Sequence, residues 1–126
     1  MMYVFFNPSP TNSKVGDCVI RSICAVTGDD WDTVYLKLCV EGFILKDMPS
    51  SNAVWGSYLA NKGFNRWIIP NTCPNCYTVA DFAKDHQNGK FILGTGTHAV
   101  AVIDGAVWDS WDSQNEIPLY YWSKEG

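Results

Sequence analysis

The dipeptide Asp104-Gly105 constrains the fold of this chain more than any other feature of the sequence. It stands between two runs rich in β-branched and aromatic residues, 98–103 and 106–111. Asp-Gly tolerates the positive backbone φ angles that a two-residue hairpin turn requires. The sequence therefore predicts an antiparallel hairpin that this turn closes directly.

Helical periodicity dominates the part of the chain that precedes the hairpin. Apolar residues recur three and four positions apart in three segments, each bounded by residues that favour helix ends. These predicted helices cover 18–26, 29–42 and 51–63. Short strands are predicted at 1–6, 64–69, 91–93 and 117–122, with a short helix over 78–86. Helices first and antiparallel strands afterwards is the order of an α+β fold.

Length and charge limit the organisation and the partners of the chain. Its 126 residues contain no evident linker or repeat, so 1–126 are predicted to form one domain. The net charge is −4 and the 9 Lys and Arg residues are scattered singly, which argues against nucleic acid or an anionic membrane surface as a partner. No apolar run approaches the ~18 residues that a membrane span needs.

The cysteines do not follow the pattern of a disulfide framework. The chain has five, an odd number, and Cys24 and Cys39 fall on apolar faces of predicted helices. The apolar N-terminal stretch has no basic residues before it, unlike a signal peptide. A reducing compartment, most simply the cytoplasm, is therefore expected.

Cys73 and Cys76 form a CxxC pair that could be read in two ways. A structural zinc site needs about four ligands, and this pair supplies only two. A surface turn, reduced or loosely disulfide-bonded, is the favoured interpretation, and a metal-binding interaction module is the alternative. Neither a metal nor a cofactor is expected to be required.

Cys18 is the candidate nucleophile because it begins a predicted helix. The unpaired amides and the dipole of a helix N-terminus stabilise a thiolate. Cys24 and Cys39 lie inside helices, where burial would raise their pKa and leave them inert. This placement separates one reactive candidate from two structural thiols.

His98 and Asp109 are the candidate partners of that thiol. In the register of the predicted hairpin, Asp109 lies opposite Val100, on the same face as His98 and diagonal to it. That separation of about 7 Å between backbones is within reach of a His–Asp side-chain contact. Asp112, just beyond the pairing, is the reserve candidate for the third position.

Three short motifs resemble the papain-like cysteine peptidase superfamily. They are Gly16-Asp17-Cys18 at the start of a buried helix, the strand His98-Ala99-Val100-Ala101-Val102, and Asp109-Ser110-Trp111. The motifs are closest to those of papain and of the leader peptidases that process double-glycine bacteriocin precursors. Asp109 stands where papain has Asn, whereas those leader peptidases have Asp there and Asp-Cys at the nucleophile. Val19 departs from both, which usually have Gly.

The resemblance implies a fold and further site residues. N-terminal helices, one of them central and buried, would pack on a C-terminal antiparallel sheet. Trp111 would shield the contact between His98 and Asp109 from water. Asn12 corresponds to the Gln of the superfamily's oxyanion hole and would donate the same kind of hydrogen bond.

These residues indicate a cysteine-dependent hydrolase that acts on a peptide or isopeptide bond of a protein or peptide substrate through a thioester. The same Cys-His-Asp set also serves acyltransferases, transglutaminases and glutamine deamidases. An inactive peptide-binding relative, for example a viral or mobile-element effector, is a further alternative. The sequence does not indicate the oligomeric state.

Overall fold

A computed structural model describes residues 2–11 and 15–124. It contains ten elements, in the order that the sequence predicts and in agreement with an α+β class. They are β1 (Met2–Phe5), α1 (Cys18–Thr27), α2 (Trp31–Leu45), α3 (Asn52–Asn61), β2 (Asn65–Ile68), α4 (Val79–Asp85), β3 (Lys90–Gly94), β4 (Ala99–Ile103), β5 (Ala106–Asp109) and β6 (Tyr120–Ser123).

The predicted hairpin is confirmed as the pair β4–β5. Asp104 and Gly105 have φ angles of 49° and 79°, as the tight turn requires, and Ile103 pairs with Ala106. The strand bounds differ slightly from prediction, because β4 begins one residue after His98 and β5 ends at Asp109.

The sheet is mixed, which corrects the expected antiparallel C-terminal sheet. Its six strands have the order β1-β5-β4-β3-β6-β2, and β1 runs parallel to β5 while the other pairs are antiparallel. Parallel neighbours need a long crossover, and here α1–α4 and the intervening strands supply it. The strands at the two edges therefore come from the start and the middle of the chain.

Helices cover both faces of the sheet. Ile92, Ala99 and Ala101 face the core formed with α1, α2 and α3. The alternate residues of the same strands, such as Leu93 and Val100, face a second core formed with α4. Burial on both sides explains why β3 and β4 are almost continuously apolar.

The predicted end of α2 at Gly42 is wrong, since the helix continues to Leu45. Gly42 instead allows the chain to fold back, because a Cβ there would lie 2.6 Å from the Asp47 carbonyl oxygen. Lys46 ends the helix in the left-handed conformation, with φ 57°. The outer face of α2 is also apolar, with Leu36, Val40, Phe43 and Ile44 exposed.

Within residues 2–11 and 15–124, no helix combines the length and the apolar character that crossing a bilayer requires.

Candidate active site

Cys18 is the first residue of α1 and is half-buried. The helix is buried against the sheet and contacts β3, β4 and β5. Its apolar residues Ile23, Cys24 and Val26 belong to the core, as the sequence predicts for a central helix. The position of the thiol is therefore set by a helix that packs directly against the sheet.

Asp17 immediately precedes this helix, where an Asp often caps the first turn, but its side chain does not do so here. Its backbone, at φ −106° and ψ 25°, is not extended, and the described residues show no capping bond from its side chain. Its carboxylate instead accepts hydrogen bonds from Arg21 Nη1 at 2.6 Å and from Trp31 Nε1 at 2.9 Å. The amides of the first helical turn, which have no acceptor within the helix, are thus not taken up by this carboxylate.

His98 is held by the turn that connects β3 to β4. The Thr95 amide donates to the His98 carbonyl at 2.8 Å, and the His98 amide donates to Thr95 Oγ1 at 2.9 Å. This double contact closes the glycine-rich connector. The ring therefore projects from a fixed turn next to the start of β4.

Asp109, at the end of β5, contacts His98 as the hairpin register predicts. Its Oδ2 lies 2.7 Å from His98 Nε2 and also accepts from Ser113 Oγ at 2.6 Å. Its Oδ1 accepts from the Ser110 amide at 2.7 Å and from Arg21. The carboxylate is 1% exposed, so all of these contacts are shielded from water.

The imidazole of His98 connects the carboxylate to the thiol. The Cys18 thiol and the His98 ring interact, and each shifts the pKa of the other. Because Nε2 faces Asp109, Nδ1 is the ring nitrogen left for the thiol. The structure thus brings together Cys18, His98 and Asp109.

The electrostatics favour a thiolate–imidazolium pair. Burial opposes ionisation of Cys18, but hydrogen bonds with His98 and the Ala99 backbone, and the charges of His98 and Arg21, bring its pKa below the ordinary value. Burial likewise opposes protonation of His98, but its bonds to Asp109 and Cys18 raise its pKa to about 9. Despite burial, His98, Ser113 and Arg21 keep the pKa of Asp109 low.

Cys24 has the opposite environment. Burial, followed by the negative charges of Asp29 and Asp30, raises the pKa of its thiol to about 12. Such a thiol stays protonated at neutral pH and is a poor nucleophile. The contrast with Cys18 follows from the neighbours of the two thiols, since Cys18 lies beside His98 and Arg21 whereas Cys24 is buried near Asp29 and Asp30.

The remaining predicted residues have different positions. Trp111 packs on His98, with 4.9 Å between ring centroids, but it is 46% exposed and so covers the ring from outside. Asp112 accepts hydrogen bonds from the amide and side chain of Gln114, not from His98. The reserve assignment therefore has no contact to support it. Asn12 lies outside the described residues.

Sequence reasoning missed Arg21 and Ser113. Arg21 is a charged residue inside an otherwise apolar helix, and that contrast was a usable signal. Ser113 gave no signal, because a Ser in a polar loop is unremarkable. Both contact the Asp109 carboxylate directly.

A cleft extends on both sides of Cys18 and His98. One cavity of about 530 Å³ is lined by the start of α1 and the 95–99 turn on one side and by α2, the 48–52 segment and α3 on the other, with Trp55 and Tyr120 among its lining residues. Its lining, as far as the described residues go, contains no Asp, Glu, Lys or Arg. A second cavity of about 630 Å³ lies on the side of Trp111. Cys18, His98, Gly16 and Thr97 line both.

Cys73 and Cys76 are joined by a disulfide, one of the two states that the sequence left open. Neither lines the cleft. Cys18, Cys24 and Cys39 are free thiols. Across 2–11 and 15–124, no group of three or more His, Cys, Asp or Glu side chains is arranged to hold a metal ion.

Comparison of the chain with protein-family models, with curated proteins and with solved structures gave no match.

Proposed function

We propose that the protein is a cysteine-dependent hydrolase of amide bonds in peptides or proteins, with a fold of the papain-like kind. The observation that carries the proposal is the position of His98 between the Cys18 thiol, with which it interacts, and the buried Asp109 carboxylate, 2.7 Å from its Nε2. Nucleophilic acyl transfer needs three groups. They are a thiol with a lowered pKa, a base next to that thiol, and a third group that orients the base.

The first half of the reaction forms a thioester. The Cys18 thiolate attacks the substrate carbonyl carbon, and the carbonyl oxygen becomes an oxyanion. The tetrahedral intermediate collapses, the C–N bond breaks, and the His98 imidazolium donates its proton to the departing amine. Asp109 holds the imidazole in the tautomer and orientation for this transfer.

The second half consumes water. Neutral His98 takes a proton from a water molecule, whose oxygen attacks the thioester carbonyl. The C–S bond then breaks, the carboxylic acid product leaves, and the thiolate–imidazolium pair is restored. Two sequential acyl transfers replace one slow hydrolysis.

The start of α1 supplies the group that stabilises the oxyanion. The Cys18 amide lies in the first helical turn, where amides lack acceptors within the helix, and the helix dipole favours negative charge there. Because Asp17 is bound to Arg21 and Trp31, its carboxylate does not compete for this position. Backbone donors of this type stabilise the transition state in acyl transfer.

The two-sided cleft supports an extended substrate. Cavities of about 530 and 630 Å³ meet at Cys18 and His98, so chain on either side of a scissile bond has a place to bind. A peptide or a protein segment fits this description better than a compact small molecule, which would need one enclosed pocket.

Selective alkylation tests the proposal. At about pH 6, iodoacetamide is expected to modify Cys18 at least ten-fold faster than Cys39, because the lowered pKa of Cys18 leaves more of that thiol as the reactive thiolate. Intact-mass spectrometry with peptide mapping follows each site. His98→Ala should remove the advantage, whereas Cys39→Ser should leave the alkylation rate of Cys18 unchanged. Equal rates at Cys18 and Cys39 in the wild-type protein would contradict the proposal.

Product analysis with a peptide library then fixes the reaction class. Cleaved peptides support hydrolysis of backbone amides. Release of ammonia without cleavage, or transfer to an added amine, would assign the same three residues to a deamidase or a transferase. Each activity should be absent from Cys18→Ser.

A further inference from the structure

Arg21 lies between two buried carboxylates, and one of them belongs to the site. Its Nε and Nη2 atoms lie 3.0 and 2.9 Å from Asp109 Oδ1. Its Nη1 lies 2.6 Å from Asp17 Oδ1. The Arg21 side chain is only 7% exposed, so the guanidinium is enclosed by these partners.

The two oxygens of the Asp109 carboxylate have different partners. Oδ1 is held by Arg21 and Oδ2 faces His98. Two donors of the planar guanidinium converge on Oδ1 and fix the position of that oxygen. Together with the Ser110 amide on Oδ1 and the Ser113 hydroxyl on Oδ2, Arg21 therefore helps to set the direction in which Oδ2 points at the imidazole.

The contact with Asp17 acts on the other end of the site. Asp17 directly precedes α1, where an Asp normally accepts hydrogen bonds from the first-turn amides. That arrangement would put a negative charge next to Cys18 and occupy the oxyanion donors. Arg21, together with Trp31, binds the Asp17 carboxylate elsewhere.

We propose that Arg21 is a positioning residue that separates two carboxylates, fixing Asp109 for His98 and keeping Asp17 off the helix end that carries Cys18. This inference rests on the proposed function of Cys18 and His98. Arg21 acts through these neighbours and needs no contact with substrate.

The charged and titratable groups around the thiol come from several elements. Arg21 and Asp17 belong to α1 and its start, His98 precedes β4, and Asp109 ends β5. Tyr120 of β6 also interacts electrostatically with Cys18. These neighbours are the same in the wild-type protein and in the Arg21 variants. A change in the pH midpoint of Cys18 alkylation is therefore attributed to the substitution at Arg21.

Two chemical probes separate the two roles of Arg21. Iodoacetamide reports the fraction of Cys18 present as thiolate, through the pH midpoint of alkylation. A peptidyl vinyl sulfone reports more, because the thiolate adds to its β-carbon and His98 then protonates the α-carbon. Loss of His98 orientation slows the second reaction more than the first, because it removes the proton donor as well as weakening the interaction that lowers the pKa of Cys18.

Arg21→Met should change both readouts. Its alkylation midpoint is expected to rise by about one pH unit, since the guanidinium charge is lost and only Trp31 still holds Asp17 away from the helix end. Vinyl sulfone addition at the optimum pH should fall by at least about ten-fold, because Asp109 loses its contact with Arg21 and orients His98 less precisely. Circular dichroism establishes that the variant is folded.

Two further variants distinguish positioning from simple support of the fold. Asp17→Asn in the Arg21→Met background should reverse the part of the rise in alkylation midpoint that is due to the Asp17 charge and leave the vinyl sulfone reaction slow. Arg21→Lys keeps the charge without the fork, so its midpoint should stay near wild type while addition falls several-fold. Arg21→Lys decides the matter if Arg21→Met does not fold.

Wild-type values of both readouts in a folded Arg21→Met or Arg21→Lys protein would overturn the inference alone. So would a lower melting temperature with both readouts unchanged, which is the result for a merely structural arginine. An ordinary alkylation midpoint in the wild-type protein would overturn the proposed function and this inference together.

Discussion

At the scale of single residues, some features of the candidate site follow from neighbours close in sequence, and others depend on residues far apart in the chain. Cys18 could be predicted from its place at a helix start, and the contact between His98 and Asp109 followed from the register of one hairpin. Both depend on neighbours close in sequence. Arg21 and Asp109 are 88 residues apart, and no local sequence pattern predicts a contact between them.

The charge of Asp109 sets the protonation of His98, which leads to a residue-scale prediction. In Asp109→Asn the pKa of His98 should fall from about 9 toward its ordinary value, because the hydrogen-bonded negative charge is removed. NMR titration of the His98 ring measures this, with His98→Ala identifying its signals against those of His86.

Asp112→Asn is the matched control for that titration. Asp112 contacts Gln114 instead of the imidazole, so its substitution should leave the midpoint of His98 in place. A His98 midpoint that moved as far in Asp112→Asn as in Asp109→Asn would show that general negative charge, and not the 2.7 Å contact, raises it.

At the scale of secondary structure, the order of elements and the main hairpin could be predicted, but several ends could not. Gly42 commonly marks a helix end, yet α2 passes through it because the returning chain at Asp47 needs the space of a missing Cβ. Likewise, β1 carries no signal for its parallel partner. Such features depend on tertiary contacts that local propensity does not encode.

Gly94 at the end of β3 gives a prediction at this scale. An added Cβ would overlap the ring of Tyr120, which also packs near Trp55 and under Arg66. Gly94→Ala should therefore destabilise the protein by about 1–3 kcal/mol, as overpacking does in buried sites. Urea unfolding monitored by fluorescence measures the change.

Gly96→Ala provides the comparison, since nothing lies within 4 Å of a Cβ added there. Its unfolding midpoint should stay near that of the wild type. Equal midpoints for the Gly94→Ala and wild-type proteins would mean that the Tyr120 ring moves aside without loss of stability. The packing between β3 and β6 would then be looser than the close approach of Gly94 to Tyr120 indicates.

At the scale of the whole molecule, the ionic contacts of the candidate site also contribute to the stability of the fold. Since the pKa of His98 is raised to about 9, its protonated form stabilises the folded state. That contribution is fully present below the ordinary pKa of 6.5 and is lost as the pH rises through about 9. For Asp109, whose pKa is lowered, the contribution is present above 3.8 and is lost as the pH falls through the lowered value.

His98→Gln tests this linkage while keeping a polar side chain. The wild type should exceed the variant in free energy of unfolding by most at about pH 5.5, and the difference should shrink toward about pH 9.5. Cys18→Ser in both backgrounds removes the coupled thiol titration. A difference that grew as the pH rose would show that His98 is stabilised as the neutral ring.

The parallel pairing of β1 with β5 has a consequence for how the protein is made. The Tyr3 hydroxyl and the Phe6 amide both donate to the Asp109 carbonyl, and Tyr3 and Asp109 are 106 residues apart. A ribosome synthesises Cys18 long before it reaches β5, so for that interval the nascent polypeptide carries this thiol without His98 and Asp109. The surroundings that lower the pKa of Cys18 are therefore assembled only after the ribosome has passed Asp109.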